Sequence, residues 1–141
     1  MFYEQRMTVP DSSAELRAEY EDDLVAIIEQ RGAGDVAAET DLEQETLEAL
    51  AAGESPELMF EQAAQIQSLE DGEPDPETIV TMALEHLLLG MSTAVLDVDA
   101  VESHLEIDLD AKEVHQKIEG RAPMSFGEFV HIQYVIADSA P

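Results

Sequence analysis

Two stretches of this chain are punctuated alike at a fixed distance. Leu42 to Pro56, LEQETLEALAAGESP, and Leu109 to Pro123, LDAKEVHQKIEGRAP, align Leu42 with Leu109, Leu47 with Val114, Gly53 with Gly120 and Pro56 with Pro123, each pair 67 positions apart. Outside them Val36 answers to Val101 with a turn two residues longer in the second copy, and Ala63 and Leu69 answer to Val130 and Ile136. A repeat of this length constrains the fold to similar units that bury their apolar faces against one another. The shared order is a short helix, a turn, a second helix stopped by Gly and then a capped helix, so the units are helical.

The apolar spacing agrees. Ser12 with Glu15 forms a capping box, and Leu16, Tyr20, Leu24, Ile27 and Ile28 recur at helical spacing up to Arg31, where Gly32 and Gly34 end the run. A short helix is expected at Asp35 to Glu39, another capped by Asp41 and running to Ala52, and a fourth opened by Ser55 and Pro56. Glu70 to Asp75, EDGEPD, has no apolar residue and reads as a linker. Asp75 and Pro76 then start a long helix whose run Ile79 to Leu96 is apolar on most sides. Asp97 or Asp99 caps a sixth helix ending near Leu105, Asp108 a seventh stopped by Gly120, and the box of Ser125 with Glu128 opens an eighth.

The predicted fold is therefore all-α, with tandem helix-turn-helix-like units packed on a long central apolar helix. It is read as one cooperative globule: a flexible arm over 1–11, a first unit over 12–69, the acidic linker 70–75, and the long helix plus second unit over 76–137. With 45% apolar residues in 141 positions, one shared core is within reach.

Charge bounds the setting. Thirty-three Asp and Glu stand against six Lys and Arg, a formal net charge of −27, and the acids are spread through the periodic segments. Such a surface repels itself in dilute buffer, but at ~1 M salt the Debye length falls to about 3 Å. The expected environment is a salt-rich cytoplasm. The start, MFYEQRMTVP, lacks the basic and apolar regions of a secretory signal, and Glu85, His86, Ser92 and Thr93 interrupt the run Ile79 to Leu96, so no membrane partner is expected. The sequence has no cysteine, which excludes disulfides, thiolate ligands and thiol catalysis.

The segment DLVAIIEQRGAGDVAAETDLEQETLEALAAGESPELMFEQAAQIQSL resembles a helix-turn-helix domain of the Cro/repressor type over residues 23–69, and residues 99–136 are a looser second copy. The resemblance implies a supporting helix at Asp35 to Glu39 and a recognition helix at Glu43 to Ala52. The whole chain is also similar to an uncharacterised haloarchaeal family of unknown function, through HLLLGMSTAVLDVD and QKIEGRAPMS. That second resemblance implies a salt-adapted origin and no particular activity.

Recognition of DNA needs cations on phosphate and long polar side chains at base edges. Copy one offers Glu43, Gln44, Glu45, Thr46 and Glu48 there, which a polyanion repels. Copy two gathers Lys112, Lys117 and Arg121, half of the chain's Lys and Arg, with His115 and Gln116 between them. These five are the candidate DNA-binding residues, weighed against simple pairing of the cations with neighbouring carboxylates. His86, His104, His115 and His131 lack metal-ligand spacing, and DVDAVESHLEID lacks the acidic and Gly positions of a calcium loop. Glu85 and His86 point to different sides of their helix. No catalytic residue, metal site or cofactor is expected.

The functional expectation is a non-enzymatic regulatory or protein-interaction protein of the helix-turn-helix class, with a protein partner and a homodimer contact through 79–96. The first alternative is a DNA-binding transcription regulator using helix 109–121. The second is a small-ligand or enzymatic module around His86.

Overall fold

The computed structural model describes residues 1–4 and 8–139. Among them are eight helices: α1 (Ser13–Arg31), α2 (Ala33–Glu39), α3 (Gln44–Ala51), α4 (Phe60–Gln67), α5 (Pro76–Ala94), α6 (Val98–His104), α7 (Ala111–Ile118) and α8 (Phe126–Asp138). The fold is all-α, and its only β-type pairing among the described residues is an isolated antiparallel bridge, Met59 with Ser125.

The repeat reaches further than the sequence suggests. α1 and α5 both span 19 residues, and each is followed by a 7-residue and then an 8-residue helix before the capped last one. The buried positions Leu16, Tyr20, Leu24 and Ile28 of α1 correspond in register to Ile79, Ala83, Leu87 and Met91 of α5. The long fifth helix is thus the second copy of α1. It is not buried all round, because Leu88 and Leu89 are 45% and 52% exposed. α8 is more enclosed, burying Phe126, Phe129, Val130, Ile132, Gln133, Val135 and Ile136.

Packing is reciprocal between the halves. α1 lies on α4 and α8, α5 lies on α8 and α4, and α4 and α8 touch each other. Where α4 and α8 begin, the Phe60 N–H donates to the Met124 carbonyl at 2.9 Å and the Phe126 N–H donates to the Leu58 carbonyl at 2.8 Å. Leu58 corresponds to Met124 and Phe60 to Phe126, so one pair of bonds maps onto itself when the halves are exchanged. The bridge explains why α4 does not start at Ser55 and Pro56. Residues 58–60 are held extended to meet 124–126, Met59 takes the N-cap, and the Ser55 hydroxyl donates to Glu21 instead. This shift also makes the repeat one residue shorter here, so that Ala63 answers to Phe129 and Gln67 to Gln133.

Two other caps differ from the sequence reading. Glu43, without a side-chain bond, precedes α3 in place of Asp41, and Asp110 rather than Asp108 caps α7 by accepting from the Glu113 N–H at 2.8 Å. Ser12, Asp75, Asp97 and Ser125 cap as expected, but the Ser12 box does not close, because the Glu15 carboxylate accepts from the Asp11 N–H at 2.9 Å.

The core is centred on aromatic rings at the junction of the halves. Phe60 stacks on Phe129 at 4.0 Å between centroids, and Phe2 meets Tyr20, Phe60, Phe126 and Phe129 within 6 Å. Phe2 has no exposed surface, so the first residues of the expected flexible arm belong to the core, while residues 5–7 of that arm lie outside the described residues. Among the described residues the two buried polar side chains, Gln67 and Gln133, occupy equivalent places. The Gln67 Oε1 accepts from the Phe2 N–H at 3.4 Å and the Gln133 Oε1 accepts from the Tyr20 hydroxyl, which satisfies both oxygens inside the core. Tyr3 in turn donates to Glu73 in the acidic linker.

Removing the Phe2 ring empties a slot enclosed by four others. Phe2→Ala is expected to cost about 3 kcal/mol in chemical denaturation performed in concentrated KCl. A change below ~1 kcal/mol would show that the ring is dispensable to the junction.

Val95 closes α5 in the left-handed region, at φ 55 and ψ 49, where Gly32 with φ 91 serves α1. Its side chain is 89% exposed and gains little from packing. Val95→Gly should therefore stabilise the protein by about 1 kcal/mol. Gly53 and Gly120, at φ 89 and 77, present the converse case, and valine at either should destabilise by about 1–2 kcal/mol. Thermal denaturation of the three variants checks both signs.

Candidate functional site

The five residues singled out on α7 and just after it do not form one cationic face. The Lys117 ammonium lies 2.6 Å from Glu128 Oε2, and both side chains are mostly buried. Arg121 and His115 both reach Glu119, the imidazole Nε2 at 2.9 Å from Glu119 Oε1. Gln116 is half-buried and its backbone carbonyl accepts from the Arg121 N–H at 2.8 Å. Lys112 is exposed and has no carboxylate within ion-pairing distance among the described residues. Of the cations of copy two, Lys117 therefore stitches α7 to the start of α8, while His115 and Arg121 pair locally with Glu119 at the end of α7.

Glu128 has two jobs in that stitch. It accepts from Lys117 and, at 2.8 Å, from the Ser125 N–H, while the Ser125 hydroxyl accepts from the Glu128 N–H at 3.0 Å. Burial pushes its carboxyl upward, but the hydrogen bonds from Lys117 and Ser125 and the charge of Lys117 outweigh this and hold it below the usual carboxylate range.

A concave surface lies beside this patch. A groove of about 890 Å³ runs between α5 and the end of α7, with Val80, Leu84, Leu88 and Ile118 as its floor and Glu61, Glu77, Glu85 and Glu119 along its rim. It continues into a cavity of about 440 Å³ bounded by Met59, Phe60, Ala122, Pro123 and Met124, where Lys117 and Arg121 also line the wall. Gly120 sits where the two join; a Cβ there would lie 3.5 Å from Leu84 Cδ1. Of the five expected residues, then, the adjoining cavity gathers two, Lys117 and Arg121, and neither it nor the groove includes Lys112, His115 or Gln116.

Comparison of the halves gives this groove its meaning. The places of Val80, Leu84 and Leu88 on α5 are held on α1 by Arg17, Glu21 and Val25. In copy one Arg17 pairs with Glu21 at 3.2 Å, donates to the Pro56 carbonyl at 3.0 Å and lies over the Phe126 ring at 5.2 Å. Ser55 adds a bond to Glu21 at 3.0 Å. The loop after α3 is thus fastened down on α1 by polar contacts. In copy two the matching side chains are apolar, and Val80 and Leu84 share the lining of the cavity of about 440 Å³ with the loop 121–124.

Residues 16–139 match a described sequence family, the family of unknown function DUF5791. The chain belongs to that family. The DUF5791 match spans both helical sets from the first turn of α1 to the end of α8, so the groove, its copy-one counterpart and the junction all fall within it. No curated protein and no solved structure matches this DUF5791 chain.

Other features of the DUF5791 chain offer less. Glu85 borders the groove, whereas His86 lines neither it nor the cavities described here; the His86 Nδ1 is buried without a hydrogen-bond partner. His104 and His131, far apart in sequence, meet Tyr134 at a cavity of about 390 Å³ with Asp11, Glu106 and Asp138 at its edge. Among the described residues no group of His, Asp and Glu is arranged to hold a metal ion. No single described helix is long and apolar enough to cross a membrane, and α5 with α6 reaches that length only with a bend of 93°.

The depressed carboxyl of Glu128 has a consequence for acid stability. Its contribution is present above the unfolded value, near pH 4.3–4.5, and is lost as pH falls through the lower folded value. Glu128→Gln should lower stability at pH 7 and flatten the stability loss below about pH 4.5, read from urea titrations across pH.

Proposed function

We propose that this chain is a non-catalytic protein-interaction module of a salt-adapted cytoplasm, in the helix-turn-helix class of regulators, and that it binds through the groove of its second half. The observation that carries this reading is the difference between the halves. One repeat covers its α1 face with Arg17, Glu21, Ser55 and Pro56, whereas the other leaves Val80, Leu84 and Leu88 as an apolar floor, with Leu88 45% exposed. Exposed apolar stripes rimmed by polar groups are a usual form of protein contact surface.

The reading of α7 as a DNA-recognition helix has less support. Phosphate contact requires free cations, and the ion pairs of Lys117, Arg121 and His115 leave Lys112 as the one of the four with no carboxylate partner among the described residues. Removing Lys117 from Glu128 would also expose a carboxylate to the DNA backbone. Binding of genomic DNA fragments in concentrated potassium, comparing wild type with a Lys112/Lys117/Arg121 triple alanine variant, separates the readings. The interaction module retains no DNA in either form; retention by wild type alone would favour the regulator that reads DNA.

The salt-adapted setting is supported by the net charge of −27 on a chain whose acids lie largely on the surface. Transfer from ~1 M or higher KCl to dilute buffer should loosen the fold as the repulsion loses its screening. Unchanged helicity by circular dichroism at low salt would count against it.

A further inference from the structure

The chemistry of the groove restricts what it accepts. On α5 its floor is a single stripe, Val80, Leu84 and Leu88, one residue per turn and about 12 Å long, with Ile118 of α7 beside it. That length suits roughly two turns of an opposing helix bearing apolar residues at i, i+4 and i+7. An extended peptide has no edge to join, since the Met59–Ser125 bridge is already closed and lies at the far end.

Three rim carboxylates, Glu61, Glu77 and Glu85, have no ion-pair partner among the described residues, while Glu119 is already shared by Arg121 and His115. Acidic residues cover this chain everywhere, so charge alone does not select the groove; the apolar stripe does that, and the rim then fixes the sign of the occupant. A second copy would bring its own Glu61, Glu77 and Glu85 against the first set and repel it. Resting on the interaction reading above, we infer that the groove's partner is an amphipathic helix of another protein, with apolar residues on one stripe and Lys or Arg flanking them.

The test uses the full chain in ~1 M KCl, where diffuse attraction is screened, and three fluorescein-labelled peptides of about 16 residues. One carries Leu at i, i+4 and i+7 flanked by Lys, one replaces each Lys by Glu, and one has the Leu/Lys composition scrambled. The first should bind at least about tenfold more tightly than the others. Leu88→Glu, at a half-exposed position, and Leu84→Glu should each weaken it by about tenfold or more, whereas Val25→Glu, the matching place in copy one, should leave it unchanged. Glu77→Lys with Glu85→Lys should reverse the preference toward the Glu peptide. Equal binding of the scrambled peptide, or a wild-type dimer in sedimentation that Leu88→Glu makes monomeric, would overturn the inference. Binding of the Glu peptide that is lost in Leu88→Glu would defeat the basic partner and leave the interaction reading intact. If no peptide binds in a manner dependent on Leu88, and capture of proteins from a native high-salt extract is also the same for wild type and Leu88→Glu, both fail together.

Discussion

The junction between α4 and α8 governs the rest of the structure. Phe60 and Phe129 stack there, Phe2 fills the space beside them, and two reciprocal backbone bonds fix the approach of the segments that precede the helices. Backbone groups at a helix start are left without intrahelical partners, and here the opposite half satisfies one of them in each direction. Neither half closes this surface alone, because each supplies the groups that the other lacks. The long helices α1 and α5 then lie across both, which is why all eight elements share one core.

Much of this architecture could be read from the chain. The N-caps at Ser12 and Ser125, the Gly stops and the linker at 70–75 come from local chemistry, in which one or two side chains decide the backbone state. The equivalence of α1 and α5 could not be read, because it survives only on the buried face. Leu16, Tyr20, Leu24 and Ile28 correspond to Ile79, Ala83, Leu87 and Met91, while the next row exchanges Arg17 and Glu21 for Val80 and Leu84. The start of α4 was obscured in another way. Ser55 and Pro56 carry a sound helix-opening signal, which a contact made 66 residues away overrides.

The groove was hidden for a related reason. A row of apolar residues on a helix signals burial, and the sequence contains nothing to say that the wall opposite stands back. The cationic cluster over 112–121 was visible as composition, and the pairs of His115 and Arg121 with Glu119 are local, but the pairing of Lys117 with Glu128 depends on how α7 meets α8. In so acidic a chain a local excess of Lys and Arg serves first to neutralise neighbours. The unpaired carboxylates at the groove rim are informative against that background because they border apolar surface that water covers poorly.

The exchange symmetry of the two halves also bears on how the molecule can vary. In a pair of identical subunits, one substitution alters both equivalent places at once, so a residue that opens a trough on one side opens it on the other. Joining the halves through residues 70–75 removes that obligation. Arginine can hold a loop shut at one place while valine leaves its twin unlatched, and the common interior is disturbed by neither choice.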